Sequence, residues 1–178
     1  MRRVCLIAML VATSALSAAA GDSTSISRSR FIARHRCAVV ERLDLIHRKG
    51  PIDESRDRFI ILSPRGEPQR YVQCMFEDRD TRMLCEASSG AYGPTGQGRL
   101  RLDASARAAL EALGFVQASP RENYVRHVEL GHPPDVAIAA DVMLTALHDG
   151  FGARPGSPIE IWVPYGGDPV EPCGTPVS

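Results

Sequence analysis

Five histidines, five cysteines and a tight group of acids are the side chains through which this 178-residue chain could do chemistry. His35, His47, His127, His132 and His148 fall in different segments, and none begins a His-Glu-x-x-His pair of the kind that holds zinc on one helix face. His127 sits mid-strand with Glu129 on the same face, and it is the base a small exported hydrolase would use. A strand histidine is more often simply exposed or hydrogen-bonded. Ser88-Ser89-Gly90 is not the Gly-x-Ser-x-Gly of a nucleophile elbow. The run from Gly93 to Gly98 is glycine-rich but lacks the Lys-Ser/Thr ending of a phosphate loop, and Pro94 removes one amide donor. Glu77, Asp78 and Asp80 would bind calcium only weakly and fit a solvated hairpin tip. These residues therefore assign no catalytic group, no cofactor and no metal site, and the chain is expected not to be an enzyme.

The cysteines point elsewhere. Arg2-Arg3, the apolar stretch Val4 to Leu16 and the small residues Ala18-Ala19-Ala20 have the form of a signal peptide. Residues 1–20 are expected to be removed, with export to the periplasm or beyond. The apolar stretch falls short of the ~20 residues a spanning helix needs, so no membrane association is expected afterwards. Cys37, Cys74, Cys85 and Cys173 then remain, an even count that favours disulfides in an oxidising compartment. No pair has the close spacing of a zinc site. If 71–77 and 82–88 form a hairpin, Cys74 and Cys85 stand opposite each other, near disulfide reach. That pairing leaves Cys37 for Cys173; the alternative is two buried thiols on one sheet face.

The elements that must position these residues follow from periodicity. Gly21 to Ser29 is polar and Ser-rich and reads as a disordered start. From Arg30 to Arg48, Ile32, Val39, Val40, Leu43 and Ile46 recur at helical steps, and Gly50-Pro51 stops the helix. Arginines decorate this stretch, but acids interrupt them and no aromatic set accompanies them, so a nucleic-acid partner is not expected. The whole chain carries 21 basic and 21 acidic residues, which predicts no polyanionic partner either.

Residues 58–62, 71–77 and 82–88 read as an antiparallel meander. Val72, Cys74 and Phe76 fall on one face, and Tyr71, Gln73 and Met75 on the other. Ser88 to Gly98 reads as a flexible connection. Asp103 is the N-cap of a second helix that ends at Gly114. Phe115-Val116 and 124–128 read as strands around a Ser119-Pro120 turn. Asp135 begins a third helix running to Gly150, 159–163 makes a short strand, and 164–178 is a Gly/Pro-rich tail. The fold class is α+β. An antiparallel sheet of about five to six strands is packed by helices in the order α-β-β-β-α-β-β-α-β, within a domain spanning 30–163.

Tyr71-Val72-Gln73, then Glu86, Leu113-Gly114-Phe115, Pro120, Asn123-Tyr124 and the alanine-rich helix closing on Phe151-Gly152 together resemble the type III secretion chaperone-like and YbjN-like superfamily, the TY-Chap peptide-binding chaperone domains. The resemblance implies a non-enzymatic domain that holds a peptide or protein partner, as a homodimer in many members. It implies that Leu-Gly-Phe is a joint between helix and strand. Apolar and aromatic residues occupy both faces of the central hairpin, so Tyr71, Met75 and Leu84 are the candidates for peptide contact. A structural subunit of an envelope complex is the remaining alternative.

Overall fold

The structure, a computed structural model, describes residues 15–49 and 58–164. Its order is α1 (Ala15–Lys49), β1 (Phe59–Pro64), β2 (Val72–Glu77), β3 (Arg82–Ala87), α2 (Ala104–Ala112), β4 (Tyr124–Glu129), α3 (Val136–Asp149) and β5 (Ile159–Trp162). The five strands form one antiparallel sheet in the order β4-β3-β2-β1-β5. The fold is α+β, as the alternation of helical and strand periods predicts. Helices cover one face. α3 crosses β1 to β4, α1 packs on α3 and β1, and α2 packs on α3. Ion pairs of Arg28 with Asp149 and of Arg36 with Asp141 show that α1 and α3 run antiparallel.

The core follows from the strand period. Ile60, Leu62, Val72, Cys74, Phe76, Met83, Cys85 and Ala87 all point inward and are buried against Phe31, Val39, Leu43 and Ile46 of α1 and Ala139, Ala140, Met143, Leu144 and Leu147 of α3. Each large side chain removed from water in this way contributes about 1.5–3 kcal/mol. Cys74 and Cys85 are register partners and form a disulfide, with Cα atoms 4.1 Å apart, under the helices.

The local signals at the helix ends hold. The Asp103 carboxylate accepts from Ala106 N at 2.8 Å, and that of Asp135 accepts from Ala137 N at 3.0 Å. Gly114 has φ +81°, the left-handed conformation a side chain resists.

Three expectations change. Residues 21–29, expected to be disordered, belong to α1. Two of their side chains make tertiary contacts: Ser27 meets His148, and Arg28 pairs with Asp149. Phe115-Val116, expected to be a strand, is a single bridge between Val116 and Val125, so the sheet has five strands. The connection from Ser88 to Gly98 is tied down rather than loose. Ser89 N donates to Asn123 Oδ1, Arg99 Nε to the Gly90 carbonyl and Gln69 Nε2 to the Gly98 carbonyl. Gly90 itself has φ +79°, and a Cβ there would lie 2.2 Å from the Leu100 carbonyl oxygen. Most of the expected signal peptide and all of the tail after Pro164 lie outside the described residues; residues 15–20 are the first turns of α1.

Candidate functional site

The face of the sheet opposite the helices is where the sequence placed Met75 and Leu84. Register sets its side chains in rows across the strands. Phe59, Met75, Leu84 and His127 form one row. Trp162, Ile61, Gln73, Glu86 and Val125 form the next, and Glu77, Arg82 and Glu129 a third. No helix packs on this face among the described residues. Phe59, Ile61, Met75 and Leu84 are half-buried by each other, and Trp162 is 56% exposed, its ring centroid 5.2 Å from that of Phe59. This is an apolar strip, and it exists because the hairpin and β1 place apolar residues at outward as well as inward positions.

Tyr71 lies on the same face, but it belongs to a polar network. Asn123 Nδ2 donates to Tyr71 OH at 2.9 Å and to Glu86 Oε2 at 3.4 Å, and Gln73 Nε2 donates to the same Glu86 oxygen at 2.8 Å. Tyr71, Gln73, Glu86 and Asn123 all occur in the strings that carry the family resemblance, though they span 52 positions of the chain. The fold joins them beside the apolar strip. At the other end of the strip Glu77 Oε2 accepts from His127 Nδ1 (3.1 Å) and Arg82 Nε (3.3 Å). His127 is exposed and its ring partner is a carboxylate, so its observed setting is a surface pair, with no hydroxyl or thiol bonded to it among the described residues.

Two buried clusters lie apart from this face, and periodicity does not reveal either. At the β2–β3 tip, Asp80 is 4% exposed and takes a bidentate ion pair from Arg58, with Arg58 Nη2 at 2.6 Å from Oδ2. The Arg58 guanidinium lies 4.9 Å from the Phe76 ring centroid and also donates to the His47 carbonyl of α1. The expected solvated tip is therefore partly a buried lock, with Arg79 and Asp80 held at φ 53° and 72°. The second cluster joins α1 to α3. Ser27 Oγ lies 3.0 Å from His148 Nε2, and His148 Nδ1 lies 2.6 Å from Asp149 Oδ1. The order is that of a serine hydrolase relay. Its setting differs: His148 is 2% exposed, and the Asp149 carboxylate also takes the Arg28 guanidinium at 2.9 Å. The cluster holds two helices together. A signal for it was present in Ser27 and Arg28, but only the antiparallel helix pairing gives them meaning.

Among the described residues no three His, Cys, Asp or Glu side chains converge to hold a metal. No helix among them is long and apolar enough to cross a membrane. Cys37 is exposed on α1 and is disulfide-bonded, whereas Cys173 lies outside the described residues.

The model of one protein family, T3SS (YopN, CesT) and YbjN peptide-binding chaperone 3 (TY-Chap3), matches residues 36–157. No curated protein matches the chain, and no solved structure does.

Proposed function

Since the chain belongs to the TY-Chap3 peptide-binding chaperone family, we propose that it holds an extended, apolar peptide segment on the open face of its sheet. The observation that carries this reading is the row Phe59–Met75–Leu84, with Ile61 and Trp162 beside it, on a face without a helix among the described residues. A contiguous apolar patch on an open sheet face marks an interaction surface. Tyr71, Gln73 and Glu86, held in place by the buried Asn123, border the strip with donors and acceptors for the peptide's backbone. β5 is a four-residue edge strand that ends in Trp162, and an extended segment can align along it.

We further propose that the protein works outside the cytoplasm after loss of residues 1–20. The buried Cys74–Cys85 disulfide supports an oxidising compartment. Cys37 then pairs with Cys173 and anchors the tail. Non-reducing mass mapping of the mature protein checks both statements: it should yield an N-terminus at Gly21 and a cross-linked Cys37–Cys173 fragment pair.

Trp162 is the only tryptophan of the chain, so it reports on its own site. Titrating an unfolded apolar peptide should shift its emission. The Met75→Asp, Leu84→Asp double variant should weaken binding at least about tenfold while the far-ultraviolet circular dichroism stays unchanged, since outward substitutions spare the core. No emission change at millimolar peptide would refute the site. A concentration-dependent shift without any peptide, matched by a change in sedimentation, would instead make a second copy of the chain the occupant.

A further inference from the structure

A cleft of about 700 Å³ opens at one end of the helical layer, and four arginines from four separate segments line it: Arg28, Arg70, Arg101 and Arg154. The wall between them is mixed, and Leu102, Ala109 and Leu113 supply its apolar part. Two acids share the cleft, Asp103 and Asp149, and both are occupied. Asp149 takes Arg28 and His148. Asp103 accepts from Ala106 N and from Ser105 Oγ, bonds that hold its carboxyl below the usual carboxylate range. Arg70 is bonded to Glu67 and to the Phe151 carbonyl. Arg101 and Arg154 differ. Arg101 has no ion pair or hydrogen bond among the described residues, and the Arg154 guanidinium meets only the Ala153 carbonyl, at 3.2 Å.

Two arginines thus line the same cleft, beside its apolar part, without a carboxylate of their own among the described residues. We infer that the cleft binds a carboxylate carried next to an apolar side chain, as at the C-terminal end of a polypeptide. A guanidinium fork matches a carboxylate through two parallel N–H bonds. The wall of Leu102, Ala109 and Leu113 takes the last side chain, which bare phosphate would leave uncovered. The polypeptide identity of the ligand rests on the peptide-holding function proposed above. The cleft itself lies with the helices and not on the open sheet face.

The test is anisotropy of a labelled hexapeptide ending in Ala-Leu, as the free acid and as its C-terminal amide, against the mature full chain. The free acid should bind about tenfold or more tightly than the amide, the usual size of a charge-assisted hydrogen-bond contribution, and added salt should shrink that difference. The Arg101→Ala, Arg154→Ala variant should abolish it with an unchanged melting temperature, because both side chains are exposed. Equal binding of acid and amide overturns the inference, as does full discrimination in the double arginine variant. Competition by N-acetyl-leucine as strong as by the peptide would reassign the cleft to small organic acids, and competition by inorganic phosphate would reassign it to phosphates. Either result overturns the polypeptide assignment. The Met75→Asp, Leu84→Asp protein separates the two sites: it should lose the Trp162 response and keep the acid–amide difference. If it instead loses the response and wild type shows no such difference, only the cleft fails.

Discussion

The two faces of the sheet are built from the same strands, residue by residue, and do opposite work. Leu62 points inward and is fully buried under the helices; Ile61, next to it, points outward and pairs across to Trp162. Cys74 bonds covalently to Cys85 on the inside, while Met75 and Leu84, each one position along, stand opposite each other on the outside. The inner face spends its apolar residues on the fold. The outer face carries fewer, Phe59, Ile61, Met75, Leu84, Val125 and Trp162, but no helix among the described residues covers them, and this is the face proposed for the peptide.

Substitutions in matched pairs sharpen this contrast. The largest effect should come from Asp80→Ala, which strands the buried Arg58 guanidinium; a loss of about 3–5 kcal/mol is expected from the urea midpoint. Leu62→Ala should cost about 2–5 kcal/mol, and Ile61→Ala well under half of that in the same experiment. Equal costs would mean that the outer face is as much a part of the core as the inner one. Replacing Cys74 and Cys85 together by alanine should lower stability by roughly 2–3 kcal/mol, because the bond closes a short loop in the unfolded chain. Glu77→Ala breaks the outer-face pairing with Arg82 and His127 and should cost less than about 1 kcal/mol. A loss comparable to that of Asp80→Ala would break the comparison.

The smallest effect is a pH dependence. Partial burial is the main cause lowering the pKa of His35, Arg34 adds to it, and a hydrogen bond to the Ser157 carbonyl works the other way. The folded state therefore favours the neutral ring. Stability from this group is fully present above the ordinary histidine value of about 6.5 and is lost as pH falls below it toward the lower folded value. Melting temperatures between pH 7.5 and 5.5 should fall less in His35→Gln than in wild type.

Much of the fold is legible because its determinants are local. Asp103, Gly114 and Asp135 mark helix ends by backbone chemistry that acts within four residues. The alternation 72–76 against 83–87, centred on a polar turn, sets the hairpin register and with it the Cys74–Cys85 bond. The apolar outward positions Met75 and Leu84 can be read in the same way, but Phe59, Ile61 and Trp162 join them only when β1 and β5 are laid alongside. What escapes is non-local. Ser27 and Arg28 look like a disordered start until α3 brings His148 and Asp149 to them, more than a hundred residues away. Asp80 looks like a solvated turn residue until Arg58 arrives from the position just before β1. Tyr71, Gln73, Glu86 and Asn123 each look ordinary, and only their meeting makes a network.

The covalent bond between the two central strands reaches beyond the core that contains it. Sliding one strand past the other by a single residue would exchange the two sides of the sheet, and the cystine forbids that slide. Under the proposed function, a segment held on the open side would pull against a fixed lattice and would meet the same spacing each time.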